Sequence, residues 1–336
     1  MAGPEHHGIN ARAAEGFANS ANYDKHRPSY TPTVVEQALS QCRVSGRKHA
    51  KILDLAAGGG KFTELLARRA EGFEIVAVEP HDGMREVLEG KKLAGVSVKA
   101  GRADGIPLED ESVDAVVVAQ VGISIFSLIH CLHNVLWYHA PTQTRVPNAH
   151  VSRPSTGSPP PPSLKEIHRV LRPHGVLALL WNIEDYNSPR TYAASTPWET
   201  TMRELTWTFQ DDEARFRHQE WKKVFENQSQ SSPWSLLVAG EQFFALPLGE
   251  WEERFEVRLG RREVWERYAT ISSIAVQGAG EREKTYKTVM DALNGPDVEV
   301  NEKGEIALHG RTFVAWTSKI PEEGRESLLG VETPES

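Results

Sequence analysis

Lys51-Ile52-Leu53-Asp54-Leu55-Ala56-Ala57-Gly58-Gly59-Gly60-Lys61-Phe62-Thr63-Glu64-Leu65-Leu66-Ala67-Arg68-Arg69 reads as a buried strand, a glycine turn and a helix. Ile52, Leu53 and Leu55 suit a parallel strand covered on both faces, and Phe62, Leu65, Leu66 and Ala70 recur at the helical period. Gly58, Gly59 and Gly60 carry no Cβ, so the backbone can turn sharply and a ligand can lie against the main chain at the helix N-terminus. Asp54 stands at the strand end, ahead of the glycines, where its carboxylate suits a ligand's cationic group and would repel a pyrophosphate. A dinucleotide site is the weaker reading, because G-x-G-x-x-G needs glycine where Thr63 stands.

Working outward, Glu74 to Pro80 is a second buried strand that ends in Glu79, about 20 residues past the glycine turn, where an acid meets ribose hydroxyls in doubly wound nucleotide sites. A carboxylate can accept from both hydroxyls of a diol. Gly95 to Ala100 is a third strand, and the stretch from Gly101 to Gln120 carries a fourth that includes Val116. A helix over Leu164 to Leu171 leads to a fifth strand over Gly175 to Asn182, which brings Trp181 and Asn182 to the same crevice as Asp54 and Glu79. Thr196 to Asn227 is amphipathic at the helical period, and Phe255 to Leu259 reads as a strand. Arg261 to Gln277 and Glu281 to Leu293 read as helices, and Glu305 to Lys319 as a hairpin turning at His309-Gly310.

Composition excludes several classes. The chain has 336 residues, enough for one large or two small domains, and a formal net charge of −8. It therefore lacks the basic footprint that grips a phosphate backbone, and nucleic acid is not the expected partner. Cys42 and Cys131 have neither paired nor metal-ligand spacing, which suits a reducing compartment. No basic region followed by an apolar run occurs in Met1 to Ser20, so the expected location is the cytosol. Val116 to Tyr138 is apolar over a span-length window, but its first part is the fourth strand and it carries His130 and His133, so no membrane span is expected. His130, His133, His139 and His150 lack ligand spacing and neighbouring acids, so no metal is expected.

On these residues the chain resembles the class I S-adenosylmethionine-dependent methyltransferases, particularly the small-molecule group related to ubiquinone/menaquinone C-methyltransferases and fungal trans-aconitate-type enzymes. The family's acid-x-Gly-x-Gly-x-Gly stands here as Asp54-Leu55-Ala56-Ala57-Gly58-Gly59-Gly60, with Ala56 for the first glycine. Gly101-Arg102-Ala103-Asp104-Gly105-Ile106-Pro107-Leu108 resembles its adenine loop. Phe17 to Tyr30 resembles its N-terminal lid. The resemblance implies an α/β fold with a doubly wound, mostly parallel sheet, a closing C-terminal antiparallel strand and a helical acceptor-side elaboration over 183–300. It implies S-adenosyl-L-methionine as cofactor, held by Asp54, Ala56, Gly58, Gly60, Glu79, Ala103, Asp104 and Gln120. Asp104 would meet the adenine amino group, with a backbone N–H from Ala103. Tyr23, Arg27 and Tyr30 are lid candidates, and Trp181 and Asn182 acceptor-pocket candidates. The expected function is methyl transfer to a small molecule, in the setting of secondary metabolism. A cofactor-binding protein without transferase activity and an NAD-dependent oxidoreductase are the alternatives. No catalytic base, acceptor or oligomeric state follows from the sequence.

The family pattern breaks after Gln120 and resumes at Leu164. Residues 121–162 contain no Asp or Glu, end in a proline run, and lack the aromatic motif that follows the fourth strand in the family. A loop this long is uncommon in a compact domain. The segment reads as an insert, and Val121 directly after Gln120 is compatible with a retained intron, since every valine codon begins with GT. The expected layout is a tail over 1–16, one domain over 17–319 interrupted by 121–162, and a tail over 320–336.

Overall fold

Alternation at period two divides the central strand residues between two layers. Leu53, Leu55, Val76, Val78, Val116, Val118, Leu177, Leu179 and Trp181 pack in one core. Ile52, Ile75, Ala115, Val117, Val176, Ala178 and Leu180 pack in the other. Such two-sided burial is the mark of a parallel sheet covered by helices. The computed structural model describes residues 29–120, 162–209, 215–226 and 243–321. Within them the elements are α1 (Pro32–Gln41), β1 (Lys51–Leu55), α2 (Lys61–Ala67), β2 (Glu74–Glu79), α3 (Asp82–Gly90), β3 (Val96–Ala100), β4 (Val113–Ala119), α4 (Pro162–Val170), β5 (Leu171–Glu184), α5 (Pro197–Thr208), α6 (Lys223–Glu226), β6 (Gly249–Leu259), α7 (Arg261–Tyr268), α8 (Ser272–Ala275), α9 (Ala279–Leu293) and β7 (Ile306–Ser318).

The strand order is β3-β2-β1-β4-β5-β7-β6. β1 pairs in parallel with β2 and β4, β2 with β3, and β4 with β5. β7 runs antiparallel to β5 and β6. From β1 the chain winds outward through β2 and β3, then returns to lay β4 on the other flank of β1. Strand order reverses at that seam, which opens a crevice beyond the carboxyl ends of β1 and β4.

Local signals explain the elements that frame this crevice. Thr31 Oγ1 accepts from the Val34 N–H at 3.2 Å and Pro32 opens α1, a side-chain cap with proline at the first turn. α1 then buries Val34, Val35, Ala38 and Leu39 against one face. α4 buries Leu164, Ile167 and Val170 against the other. Arg169 of α4 donates to Leu108 O at 2.8 Å and Ile106 O at 3.0 Å, and its guanidinium pairs with Glu166 and Asp110. It thereby locks the loop before β4 onto the helix before β5.

Several sequence expectations need correction. No hairpin turns at His309-Gly310, because β7 runs unbroken from Ile306 to Ser318 and pairs on both edges. Glycine is required at 310 for packing: a Cβ there would lie 2.5 Å from Phe255 Cζ and 2.6 Å from Ile183 O. The closing antiparallel part has two strands, and the 183–300 region is not purely helical, since β6 spans eleven residues. The Thr196–Asn227 stripe is no single helix. Trp198 and Met202 face a third core with Tyr268, Val289 and Leu308, whereas Trp221 and Phe225 face the sheet, so one straight helix could not serve both. The expected Arg261–Gln277 helix breaks between α7 and α8, and β5 begins at Leu171 with a register shift before Val176. Pro162, assigned to the insert, opens α4. Ile320, assigned to the tail, is held by Phe243 O at 2.9 Å. The 1–16 tail, most of the 17–30 lid and residues 121–161 lie outside the described residues.

Gly310→Ala should destabilise the protein by about 1–3 kcal/mol, the usual range for overpacking, because the Ile183 carbonyl cannot withdraw without breaking the β5–β7 ladder. Urea denaturation checks this. A midpoint equal to that of the unmodified chain would contradict the continuous strand.

Candidate functional site

β1 delivers Asp54 to the crevice one residue before the strand ends, and the turn that follows is built from left-handed residues. Ala56, Gly58 and Gly60 have φ of 58°, 57° and 81°. Ala56 replaces a glycine of the motif and still adopts the left-handed conformation, which is uncommon for a residue with a Cβ. Gly60 has a packing reason as well: a Cβ there would lie 2.2 Å from Leu88 Cδ1 of α3. Gly58 differs, since a Cβ would meet nothing within 4 Å among the described residues. The main chain at Gly58 thus faces open space, the cradle that a ligand lying on the backbone needs.

Two carboxylates flank this turn. Asp54 is 1% exposed, and its Oδ2 accepts from Thr63 Oγ1 of α2 at 2.6 Å. Its Oδ1 is buried without a hydrogen-bond partner among the described residues. Burial pushes the Asp54 carboxyl up to about 7 against the Thr63 hydrogen bond, and the nearby Glu79 charge adds to the rise. Glu79, 7% exposed at the end of β2, accepts from the Gly58 N–H and the His81 N–H, each at 2.9 Å. Burial raises its pKa, and those two N–H groups oppose the rise. Glu79 therefore also fastens the glycine turn to β2, a role that its sequence position did not reveal.

The far wall comes from β4 and β5. Gln120 leaves β4 at φ 56° and turns its amide sideways. Its Oε1 accepts from the Asn182 N–H at 2.9 Å, and its Nε2 donates to Asn182 O at 3.3 Å. The side chain thus continues the β4–β5 ladder one step after the backbone has turned away. Asn182 is buried, and its Oδ1 accepts from Thr312 Oγ1 at 2.6 Å. Trp181 points to the opposite layer, among Phe216, Trp221 and Phe313. Asp104 sits in the loop after β3, paired with Arg102 at 2.9 Å, whose guanidinium holds the carboxyl below its ordinary value despite partial burial. Ala103 packs on the same core as Trp181.

The structure therefore gathers Asp54, Ala56, Gly58, Gly60, Glu79 and Gln120 around one crevice, with Ala103 and Asp104 in the adjoining loop. Tyr30 is buried in the α1 layer, edge-to-face with Phe62 at 5.3 Å, so it packs as a core ring. Tyr23 and Arg27 lie outside the described residues. Thr63 was missed by sequence reading, although a hydroxyl in the first turn of the helix after the glycines is the signal that would have found it. Among the described residues there is no His/Cys/Asp/Glu group able to hold a metal, and no helix long and apolar enough to cross a membrane.

Comparison with known proteins points the same way. A methyltransferase domain family model matches residues 52–137. An uncharacterised methyltransferase of Schizosaccharomyces pombe is 35% identical over 170 residues, 50% of this chain and 53% of its own. A methyltransferase-like protein of the same yeast is 30% identical over 206 residues, 61% of this chain and 62% of its own. An uncharacterised methyltransferase of Mycobacterium tuberculosis is 33% identical over 163 residues, 48% of this chain and 50% of its own. The chain thus spans roughly half to three fifths of the curated relatives it matches. The strand order is that of a doubly wound sheet, and residues 52–137 match the methyltransferase domain family.

Proposed function

We propose that the crevice binds S-adenosyl-L-methionine and that the protein transfers the methyl group to a small-molecule acceptor. The observation that carries this reading is Asp54: a buried carboxylate with an unpartnered oxygen, beside a glycine turn that leaves open space at Gly58. Such an atom fits a ligand that brings a cationic or donor group, and Glu79 at the end of β2 has the place and chemistry to accept from ribose hydroxyls. Asp104 and the Ala103 N–H would hold the adenine, and Gln120 would border the acceptor side. When bound, the cofactor supplies an electrophilic methyl group on a sulfonium. The protein's part is to align the acceptor and keep water out, which the half-buried Gln120 on the buried Asn182 and the Trp181 layer favour.

We also propose that the chain carries surplus sequence between β4 and α4. Supporting this, the two flanks are held by contacts of their own, Gln120 with Asn182 and Arg169 with the 106–110 loop. The family match runs on through 121–137 and ends there, so it reaches neither 138–161 nor the chain beyond.

Three outcomes are expected. Asp54→Asn and Glu79→Gln should each weaken S-adenosylhomocysteine binding about tenfold or more, since hydrogen bonds to charged groups contribute ~1.5–3 kcal/mol. Calorimetric titration measures this, and unchanged affinity in both variants would remove the cofactor assignment.

The second concerns pH. The folded, ligand-free state keeps a proton on Asp54 up to about 7, whereas the unfolded chain loses it near 3.8, so the group's contribution to stability falls as pH rises across that window. A bound cation favours the ionised form, so S-adenosylhomocysteine affinity should rise by up to about tenfold between pH 6 and pH 8, and Asp54→Asn should flatten that rise. A pH-independent affinity in the unmodified chain would contradict the buried-carboxylate account.

Third, replacing residues 138–161 by a short Gly/Ser linker should preserve the unfolding transition and cofactor binding, because closure entropy changes only logarithmically with loop length. Loss of folding would show that the segment belongs to the domain.

A further inference from the structure

On the Trp181 face of the sheet, an aromatic cluster continues from the crevice into the β5–β7 region. Ring centroids lie 4.7 Å apart for Trp181 and Trp221, 5.2 Å for Trp181 and Phe216, and 5.3 Å for Phe216 and Phe313. Ala56 of the glycine turn and Ala103 of the adjoining loop pack against the same core as these rings. Two residues along β7 from Phe313, and so on the same face, stands Arg311. It is paired in register with Ile183, the neighbour of Asn182.

Arg311 is poorly served for a buried cation. Its side chain is 6% exposed. Its Nη1 donates to both oxygens of Glu252, each at 3.1 Å, and its guanidinium lies 4.2 Å from the centre of the Tyr192 ring. Its Nε is buried with no hydrogen-bond partner among the described residues. Glu252 is 41% exposed and meets a single nitrogen, not the two-nitrogen fork by which a guanidinium best takes a carboxylate. The indole Nε1–H of Trp221, beside Phe313, is likewise buried and without a partner. Buried donors without acceptors are destabilising, and two of them flanking one ring point to an acceptor group brought by a ligand.

We infer that Arg311 and Trp221 form the head-group subsite for the methyl acceptor, and that the acceptor is a small molecule with a flat apolar body and a carboxylate. This rests on the reading of the crevice as the cofactor site. The aromatic walls select the body. One guanidinium matches one negative charge, and the neighbouring Lys222 is already paired with Glu250 at 2.7 Å. β4 and β7 are two strand spacings apart, about 9.5 Å, so a small acceptor can reach from the Gln120 side to Arg311. Glu252 occupies the subsite in the ligand-free protein and swings to solvent when the acid enters.

The test is calorimetric titration of the full chain, saturated with S-adenosylhomocysteine, with benzoate, phenylacetate and trans-cinnamate, each beside its neutral amide. At least one acid should bind tenfold or more tightly than its amide. Glu252→Gln, at an exposed position, should tighten that acid several-fold and leave the amide unchanged. Arg311→Met should abolish the preference. Equal binding of every acid and its amide, or an acid affinity indifferent to Glu252→Gln, would overturn the inference. Acid preference in a protein that fails to bind S-adenosylhomocysteine would keep the subsite and remove the cofactor reading instead.

Discussion

The parallel seam between β1 and β4 is the constraint on which the remaining architecture depends. Ile52, Leu53 and Asp54 pair with Ala115, Val116 and Val117, and the chain departs from this seam in both directions. Both ends of β4 are fastened by side chains acting in place of backbone. At its start, Asp114 accepts from the Lys51 N–H at 2.8 Å and pairs with Arg172 at 2.8 Å and Arg47 at 3.1 Å. Burial alone would raise that carboxyl, but the Lys51 N–H and the Arg172 guanidinium outweigh it and hold it low. At its end, the Gln120 amide carries the ladder on to Asn182. A crevice bounded by strands pinned in this way can keep Asp54 and Gln120 facing each other without help from the loops.

Beyond β5 the fold is organised by buried charge. Arg267 of α7 donates to Glu184 at 2.9 Å with both side chains almost wholly buried. Glu199 of α5, fully buried, accepts from the His309 N–H at 2.7 Å and from Thr196 Oγ1 at 2.8 Å. Replacing such groups by apolar ones is often neutral in stability, whereas removing one partner leaves a stranded charge. Their effect here is to hold α5 and α7 at one orientation against β5 and β7. Arg203 and Arg311 are less completely matched, since each has an exposed carboxylate partner and a buried Nε without a hydrogen-bond partner among the described residues.

Much of the N-terminal half was legible in the residues alone. The Ile52-to-Gly60 run specifies strand and turn through local chemistry: apolar residues for two-sided burial, then residues able to take positive φ. Glu79 follows from spacing, since one βα unit sets how far the next strand end lies. The C-terminal half was less legible. Gly310 in the company of His309 has the look of a turn, yet it lies mid-strand because the Phe255 ring and the Ile183 carbonyl crowd it. Apolar residues from Trp198 to Phe225 share a helical period, yet they serve two cores.

The sequence by itself determined the parallel sheet, the glycine turn and the strand ends that carry Asp54 and Glu79, because each depends on contacts within one βα unit or on a period of two. Only the tertiary structure decided which oxygen of Asp54 stays unpartnered, that Glu79 fastens the glycine turn, that Gln120 pairs with Asn182, and that Arg311 is buried beside an aromatic cluster. Each of these brings together residues distant in sequence, on strands whose neighbours are set by packing across the whole sheet, and no local pattern records which side chains will meet there.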